Sequence, residues 1–224
     1  MSHTVHPYSH RLGIIKDWKS RWFGVDKKYK EYLKGDVLIR GFIEKQLADF
    51  YVDGVEIERS DKVLRIIIKT SRPGMIIGRS GEGSEKLKKN LVSFMKKKGV
   101  FDANVDLKMD IEEVRSPETS AKIVGLMIKE QLEKRMPFRR VLKQTVEKVM
   151  ANRDVEGVRV RLGGRLNGAD MARTETLKKG RIPLQTFRAD IDFARIRAKI
   201  PQGDLGIKVW IYRGEVFEEN NTKK

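Results

Sequence analysis

Apolar residues recur along this chain with two different periods, and the switches between them mark out its elements. From Lys27 to Asp49 the residues Tyr32, Leu33, Ile39, Phe42, Ile43 and Leu47 recur at helical spacing, although Gly35 and Gly41 weaken the helix they predict. Strand patterns follow from Val52 to Arg59 and from Val63 to Lys69, joined at the polar step Ser60-Asp61. A helix from Ser84 to Lys98 turns Leu87, Leu91, Phe94 and Met95 inward. It stops at Lys96-Lys97-Lys98-Gly99, where cations face the negative helix end and a glycine follows. Asn104 to Met109 alternates as a third strand. Ser116-Pro117-Glu118 has the composition of a helix start, with a capping hydroxyl, a proline and an early acid. The helix it opens runs to Lys134, Pro137 breaks it, and a second runs from Phe138 to Ala151. Strands are then predicted at Gly157 to Leu162, Ala169 to Thr176, Gln185 to Arg195 and Ile207 to Tyr212.

These elements divide into an extension (1–16) with Trp18, Trp22 and Phe23 as aromatic anchors, a first domain (17–111), a second (112–216) and a short polar tail (217–224). Two helices followed by strands, without the helical crossovers that parallel neighbours need, predict an α+β second domain on a mostly antiparallel four-stranded sheet.

The turn between strand and helix in the first domain is the most informative stretch. Arg72-Pro73-Gly74-Met75-Ile76-Ile77-Gly78-Arg79-Ser80-Gly81 sets paired glycines after two isoleucines and before an amphipathic helix. That is the KH signature, and the order helix, strand, strand, helix, loop, helix, strand is its type II arrangement. Gly78, Arg79, Ser80 and Gly81 are the expected RNA-binding loop, bare enough to clamp about four nucleotides by their backbone. A ligand-free turn between helices is the plainer reading of the same glycines.

Charge agrees with a polyanionic partner. The 224 residues hold 48 Lys and Arg against 31 Asp and Glu, a formal charge of +17. Anionic membrane is disfavoured, since no apolar run approaches the ~20 residues needed to span a bilayer and the cations are spread along the whole chain. Cysteine is absent, which excludes disulfides, thiol catalysis and zinc ribbons. The N-terminus has no secretory or transit pattern, so the chain is expected to stay where it is made.

Several constellations have two readings. Arg139, Arg140 and Lys143 fall on one side of the second helix of the second domain, opposite Leu142, Val146 and Val149, with Arg135 enlarging the patch. They form either a solvated basic face or a phosphate grip. Gly163 to Arg173 places glycines beside Arg165 and Arg173, as a second phosphate contact or as a hairpin turn with incidental charge. Asp190 and Asp192 share a strand face and either pair with arginines or serve as an acid/base or magnesium pair. His3, His6 and His10 have helical spacing, but Pro7 interrupts them and metal binding is not expected. No nucleotide-binding or hydrolase motif occurs, so neither enzyme activity nor a cofactor is expected.

Arg11-Leu12-Gly13-Ile14, Trp18-Lys19-Ser20-Arg21-Trp22, Pro73 to Gly78, Phe138-Arg139-Arg140, Gly164-Arg165-Leu166, Gly180 to Leu184 and Lys208 to Glu215 together resemble the bacterial family of small-subunit ribosomal protein S three. The resemblance covers nearly the whole chain. It implies a cytoplasmic protein of the small-subunit head that binds small-subunit rRNA, neighbours ribosomal proteins S ten and S fourteen, and lines the channel by which mRNA enters. By motif match, Arg139, Arg140 and Lys143 would meet incoming mRNA and help to open its helices. Arg11, Lys19, Arg21, Arg72, Lys86, Arg135, Arg165 and Arg173 are the expected rRNA contacts. Neither a membrane nor a small-molecule substrate is implied. Gly163 stands where the family usually has serine, and Asn167 replaces a usual glycine, which is expected to alter one rRNA contact. A free-standing KH regulator of mRNA is the alternative, and it leaves the second domain unexplained.

Overall fold

The computed structural model describes residues 5–60, 62–99 and 105–217. Asp61, Asn104, His3 and most of the polar tail lie outside the described residues. The chain forms two compact units, one of Trp18–Arg115 and one combining the residues through Asp17 with those from Ser116 onward. The first element, helix α1 (Pro7–Arg11), belongs to the second of these.

In the Trp18–Arg115 unit the order is β1 (Ser20–Arg21), α2 (Asp26–Gln46), β2 (Val52–Arg59), β3 (Val63–Thr70), α3 (Pro73–Ile77), α4 (Glu82–Lys97) and β4 (Asp106–Glu113). The sheet runs β1-β2-β3-β4. β2 and β3 are the antiparallel hairpin that the polar step at Ser60 predicts, whereas β4 lies parallel to β3, reached through the helices. Strand alternation turns Val55, Ile57, Leu64, Ile66, Ile68 and Leu107 onto Ile39 and Ile43 of α2 and Leu87, Leu91 and Met95 of α4. This is a KH domain of type II order. Leu33, expected on the inner face of α2, is instead 46% exposed, because Gly35, Asp36, Ile39 and Ile43 form the buried stripe.

One acid organises the edge of this unit. Asp36 is 3% exposed. Its Oδ1 accepts from Arg59 Nε (2.9 Å) and Nη2 (2.8 Å), and its Oδ2 from Ser20 Oγ (2.7 Å) and Trp22 Nε1 (2.8 Å). A buried carboxylate is tolerable when it is paired and fully hydrogen-bonded in this way. On the outer face of the sheet, Arg21, Arg65 and Lys69 interleave with Glu56, Glu58 and Asp110. Burial pushes the Glu56 carboxyl up, but the hydrogen bonds and charges of Lys69 and Arg21 outweigh it and hold the group below its ordinary value.

The other unit has α5 (Ala121–Glu133) and α6 (Phe138–Met150) packed on β5 (Gly157–Gly164), β6 (Arg173–Gly180), β7 (Ala189–Ile200) and β8 (Gly203–Glu215). Its four-stranded sheet is ordered β6-β5-β8-β7 and is antiparallel throughout. Val158, Val160, Leu162, Ile207, Val209 and Ile211 meet Ile128, Leu132, Val141 and Val149 beneath the helices. The α5 cap is Ser120, whose Oγ accepts from Ile123 N at 3.3 Å; Pro117–Thr119 forms a separate short turn, so the helix starts later than the Ser116 signal predicts. β6 also starts later than expected, at Arg173: Leu166–Gly168 is a tight turn in which Asn167 takes φ 56°, and beyond it Ala169 and Asp170 turn to the Arg165 guanidinium instead of to a strand partner. Asparagine is among the few residues that accept this left-handed geometry, so it replaces glycine without breaking the turn.

The N-terminal segment straps the far side of this sheet. His6 packs edge-on against Phe193 at 4.7 Å, and Lys16 Nζ reaches Asp190 Oδ1 at 2.7 Å. Beneath lies a small cluster of Ala189, Ile191, Trp210 and Tyr212 flanked by Ile182, Leu184 and Phe193. Residues 185–188 are not strand as the alternation predicts: Leu184 and Thr186 turn their carbonyls to Arg11 instead of to a strand partner.

Candidate nucleic-acid interface

The Gly78–Gly81 loop links α3 to α4. Gly78 has φ 72° with ψ −173° and Gly81 has φ 84°, backbone states that glycine adopts without a Cβ clash, and Ser80 between them is left-handed at φ 52°. Gly78, Arg79 and Ser80 are exposed, and Ser84 Oγ ties the loop by donating to Gly81 O at 2.8 Å. α4 begins at the loop with no side chain capping its first N–H groups, so the positive helix end faces it. Glu82 and Glu85 partly offset that charge, and Lys86 lies exposed one turn further on. Arg72, before α3, stacks its guanidinium 4.6 Å from the centre of the Tyr51 ring. The residue that sequence reading missed is Gly83. A Cβ there would stand 2.6 Å from Ile76 O and 2.9 Å from Ile77 O, so glycine is what lets α3 and α4 cross tightly enough to shape the loop. In the sequence it stands just before the predicted helix start at Ser84 and has no signal beyond being one more glycine after the loop.

On α6, Phe138, Val141, Leu142, Thr145, Val146 and Val149 are buried while Arg139, Arg140 and Lys143 are exposed. The basic stripe therefore faces outward over a packed stripe. The fold adds a member from another element: Arg173, at the start of β6, and Arg139 both approach Glu175 Oε1, at 3.8 and 3.6 Å, and both guanidinium groups lie over the Phe138 ring at 5.6 and 5.7 Å. Stacking and the shared carboxylate hold two planar forks side by side, an arrangement suited to phosphate oxygens. Arg135, left-handed at φ 60° between the helices, is exposed as well.

The remaining predicted contacts divide. Arg11 is 0% exposed and donates to the carbonyls of Ala189 (2.5 Å), Pro7 (3.0 Å), Leu184 (3.1 Å) and Thr186 (2.9 Å). With four of its five N–H donors spent inside the fold and no exposed surface, its side chain is a strut, turned away from any external phosphate. Burial draws its pKa down, and neighbouring Asp190 draws it back up. Arg21 is engaged by Glu56 and Glu58. Arg165 clips the turn before β6, donating to Ala169 O at 2.9 Å, Gln202 O at 3.2 Å and Asp170 Oδ1 at 3.1 Å. Lys19 is exposed, and its carbonyl accepts from Arg40 at 2.8 Å.

Asp190 and Asp192 act structurally. Asp190 pairs with Lys16 and Arg213, and Asp192 accepts from Ala121 N at 2.7 Å at the start of α5 and from Arg213 at 3.4 Å. Among the described residues no cluster of His, Asp and Glu is placed to hold a metal, and no helix is long and apolar enough to cross a membrane.

A family model described as KH domain matches residues 38–119, and one described as Ribosomal protein S3, C-terminal domain, matches residues 128–211. The chain is 43% identical over 222 residues to the small ribosomal subunit protein uS3 of Caldicellulosiruptor saccharolyticus, covering 99% of this chain and 96% of that one. It is 44% identical over 219 residues to that of Endomicrobium trichonymphae, covering 98% and 90%, and 42% identical over 224 residues to that of Clostridium tetani, covering 100% and 98%. With a match in each unit and identity along the whole length, the chain belongs to the ribosomal protein uS3 family of the small subunit.

Proposed function

We propose that this chain is a structural RNA-binding component of the small-subunit head that holds rRNA and lines the channel by which mRNA enters. The observation that carries the channel role is the α6 surface. Arg139, Arg140 and Lys143 point outward, Arg173 joins them from β6, and Glu175 is the counter-charge that Arg139 and Arg173 share. Guanidinium groups fixed this way grip phosphates without reading bases, which suits separated strands of any sequence. Translocation supplies the work of separation; the patch holds what has opened.

The Gly78–Gly81 loop is a second RNA contact, flanked by Arg72 and Lys86, and Lys19 is a further candidate at the β1 edge of the same unit. Arg135 and Arg173 extend the α6 surface. Ribosomal proteins S ten and S fourteen are the proposed protein neighbours, and the exposed apolar side chains of Phe23, Tyr29, Leu33 and Val37 suit contacts of that kind.

Charge reversal at Arg139 and Arg140 tests the channel role. Ribosomes carrying the variant should assemble, translate unstructured messages at the normal rate and slow on messages with stable hairpins. Equal rates on both messages would defeat the assignment.

A further inference from the structure

The C-terminal sheet has a second face, turned away from α5 and α6. Since Val158, Val160, Leu162, Ile207 and Val209 are buried under the helices, strand alternation sends the residues between them to the opposite side. The register then arranges cations in rows. Arg161 stands opposite Lys208, and Lys208 opposite Arg195, so three cations cross β5, β8 and β7 in one line. Arg159 stands opposite Lys178 in the neighbouring row, and Arg197 opposite Gly206 on the other side.

Like charges directly opposite one another destabilise a sheet. On the KH unit the corresponding problem is met by Glu56, Glu58 and Asp110. Here the strand register places carboxylates only at the two ends of the face: Asp204 opposite Lys199 beside the β7–β8 hairpin, and Glu215 opposite Ala189 at the far end, where Arg188 engages it. None of the six cations is ion-paired to a described carboxylate. Beside the central row, Gly163 and Gly206 are cross-strand partners. A Cβ at either would meet nothing nearer than Thr174 Oγ1 at 3.5 Å or Gly163 O at 3.7 Å, ordinary contacts, so internal packing does not require these glycines. Bare backbone within a field of cations gives close approach to an external chain.

We propose that this outer face of the C-terminal sheet, with Arg161, Lys208 and Arg195 in one cross-strand row, binds the phosphate backbone of double-helical RNA. The proposal deepens the reading of the chain as an rRNA-binding protein and rests on it. Duplex is favoured over single strand because the aromatic rings on this face are occupied. Trp210 is 7% exposed beneath the Arg159 guanidinium, 5.1 Å from its centroid, and Phe193 is covered by His6. Bases have no open ring to stack on. A flat pad of cations lies across the wide, shallow minor groove of an RNA helix and touches its backbone without sequence preference.

The test uses the purified full-length protein with an RNA duplex of about 20 base pairs, long enough to present successive grooves, and a single strand of equal length. A four-site variant carries Arg161→Gln, Lys178→Gln, Arg195→Gln and Lys208→Gln. A control removes the same charge from the helix side, with Lys129→Gln, Lys134→Gln, Lys148→Gln and Arg153→Gln. The four-site variant should bind duplex at least about ten-fold more weakly, with a salt dependence shallower by up to about 3.6 in log-log slope, as loss of four phosphate contacts implies. The control should keep the wild-type slope. Because repulsive rows are relieved, the four-site variant should melt no lower than the wild type. Unchanged duplex binding, an equal loss in the control, or an equal loss on single strand would each overturn the proposal. Whether small-subunit rRNA is recovered with the tagged wild-type chain from cells tests the ribosomal reading separately from either variant.

Discussion

Arg11 donates from Nε to the carbonyl oxygen of Ala189 at 2.5 Å, bridging 178 residues of sequence. Three further carbonyls, from Pro7, Leu184 and Thr186, take three of its other four donors, so one side chain fastens α1 to the loop before β7. Replacement by methionine would keep much of the volume and leave these carbonyls without their donor. Arg11→Met should destabilise the unit by about 3 kcal/mol, the scale for buried polar groups left unsatisfied, and Arg11→Lys should rescue little, because an ammonium lacks the planar fork. Thermal unfolding, with protease sensitivity of the N-terminal segment, measures both.

Asp36 should be as sensitive from the other side. Asp36→Ala leaves the Arg59 guanidinium, with 12% of its side chain exposed, beside a void and removes the acceptor of Trp22 Nε1. A loss of about 3 kcal/mol is expected, as for other broken buried pairs. A red shift in the Trp22 fluorescence should precede global unfolding in denaturant titrations.

The Glu56 carboxyl titrates below its ordinary value in the folded protein, held there by Lys69 and Arg21 against the effect of burial. Its stabilisation is therefore complete above the unfolded value, about 4.3, and fades as pH falls through the lower folded value. Glu56→Gln should be less stable than wild type at neutral pH, and the gap in urea midpoint should narrow steadily on acidification below about pH 4.3. A gap that stayed constant with pH would mean that the carboxylate charge does not matter.

Gly83→Ala tests the helix crossing behind the loop. The added methyl would collide with Ile76 O and Ile77 O, both backbone atoms, so α3 must move away from α4. RNA binding through the loop should fall several-fold while the strand amides keep their hydrogen-exchange protection. Gly81→Ala has open space around its Cβ but a φ of 84°, so it should cost about 1 kcal/mol in stability and distort the loop less.

Much of this architecture is legible because it is local. The hairpin of β2 and β3, the stop of α4 at Gly99 and the break at Pro137 follow from periodicity and turn chemistry within a few residues. The α6 stripe is equally local, since three positions on one helix face need no tertiary knowledge. What could not be read is long-range pairing by backbone atoms. Arg11 looked like a phosphate ligand because its carbonyl partners leave no residue signature. Alternation carried the predicted strand through 185–188, where the loop serves that arginine instead. Arg173 and Arg139 were separate expectations, and only the pairing of β6 beside α6 gives them a common carboxylate and a common ring.

The strap also imposes a schedule on biosynthesis. The segment around α1 leaves the ribosome before the elements that follow it, yet its seat on β7 and the preceding loop is made some 170 residues later, roughly ten seconds or more at ordinary elongation rates. During that interval the intervening KH unit has its whole sequence available and can close its own core. The segment around α1 has nothing to dock on and must wait. A nascent chain halted before Leu184 would therefore hold a folded KH unit behind an unanchored α1, and completion of β7 and β8 would be the event that fastens α1 in place.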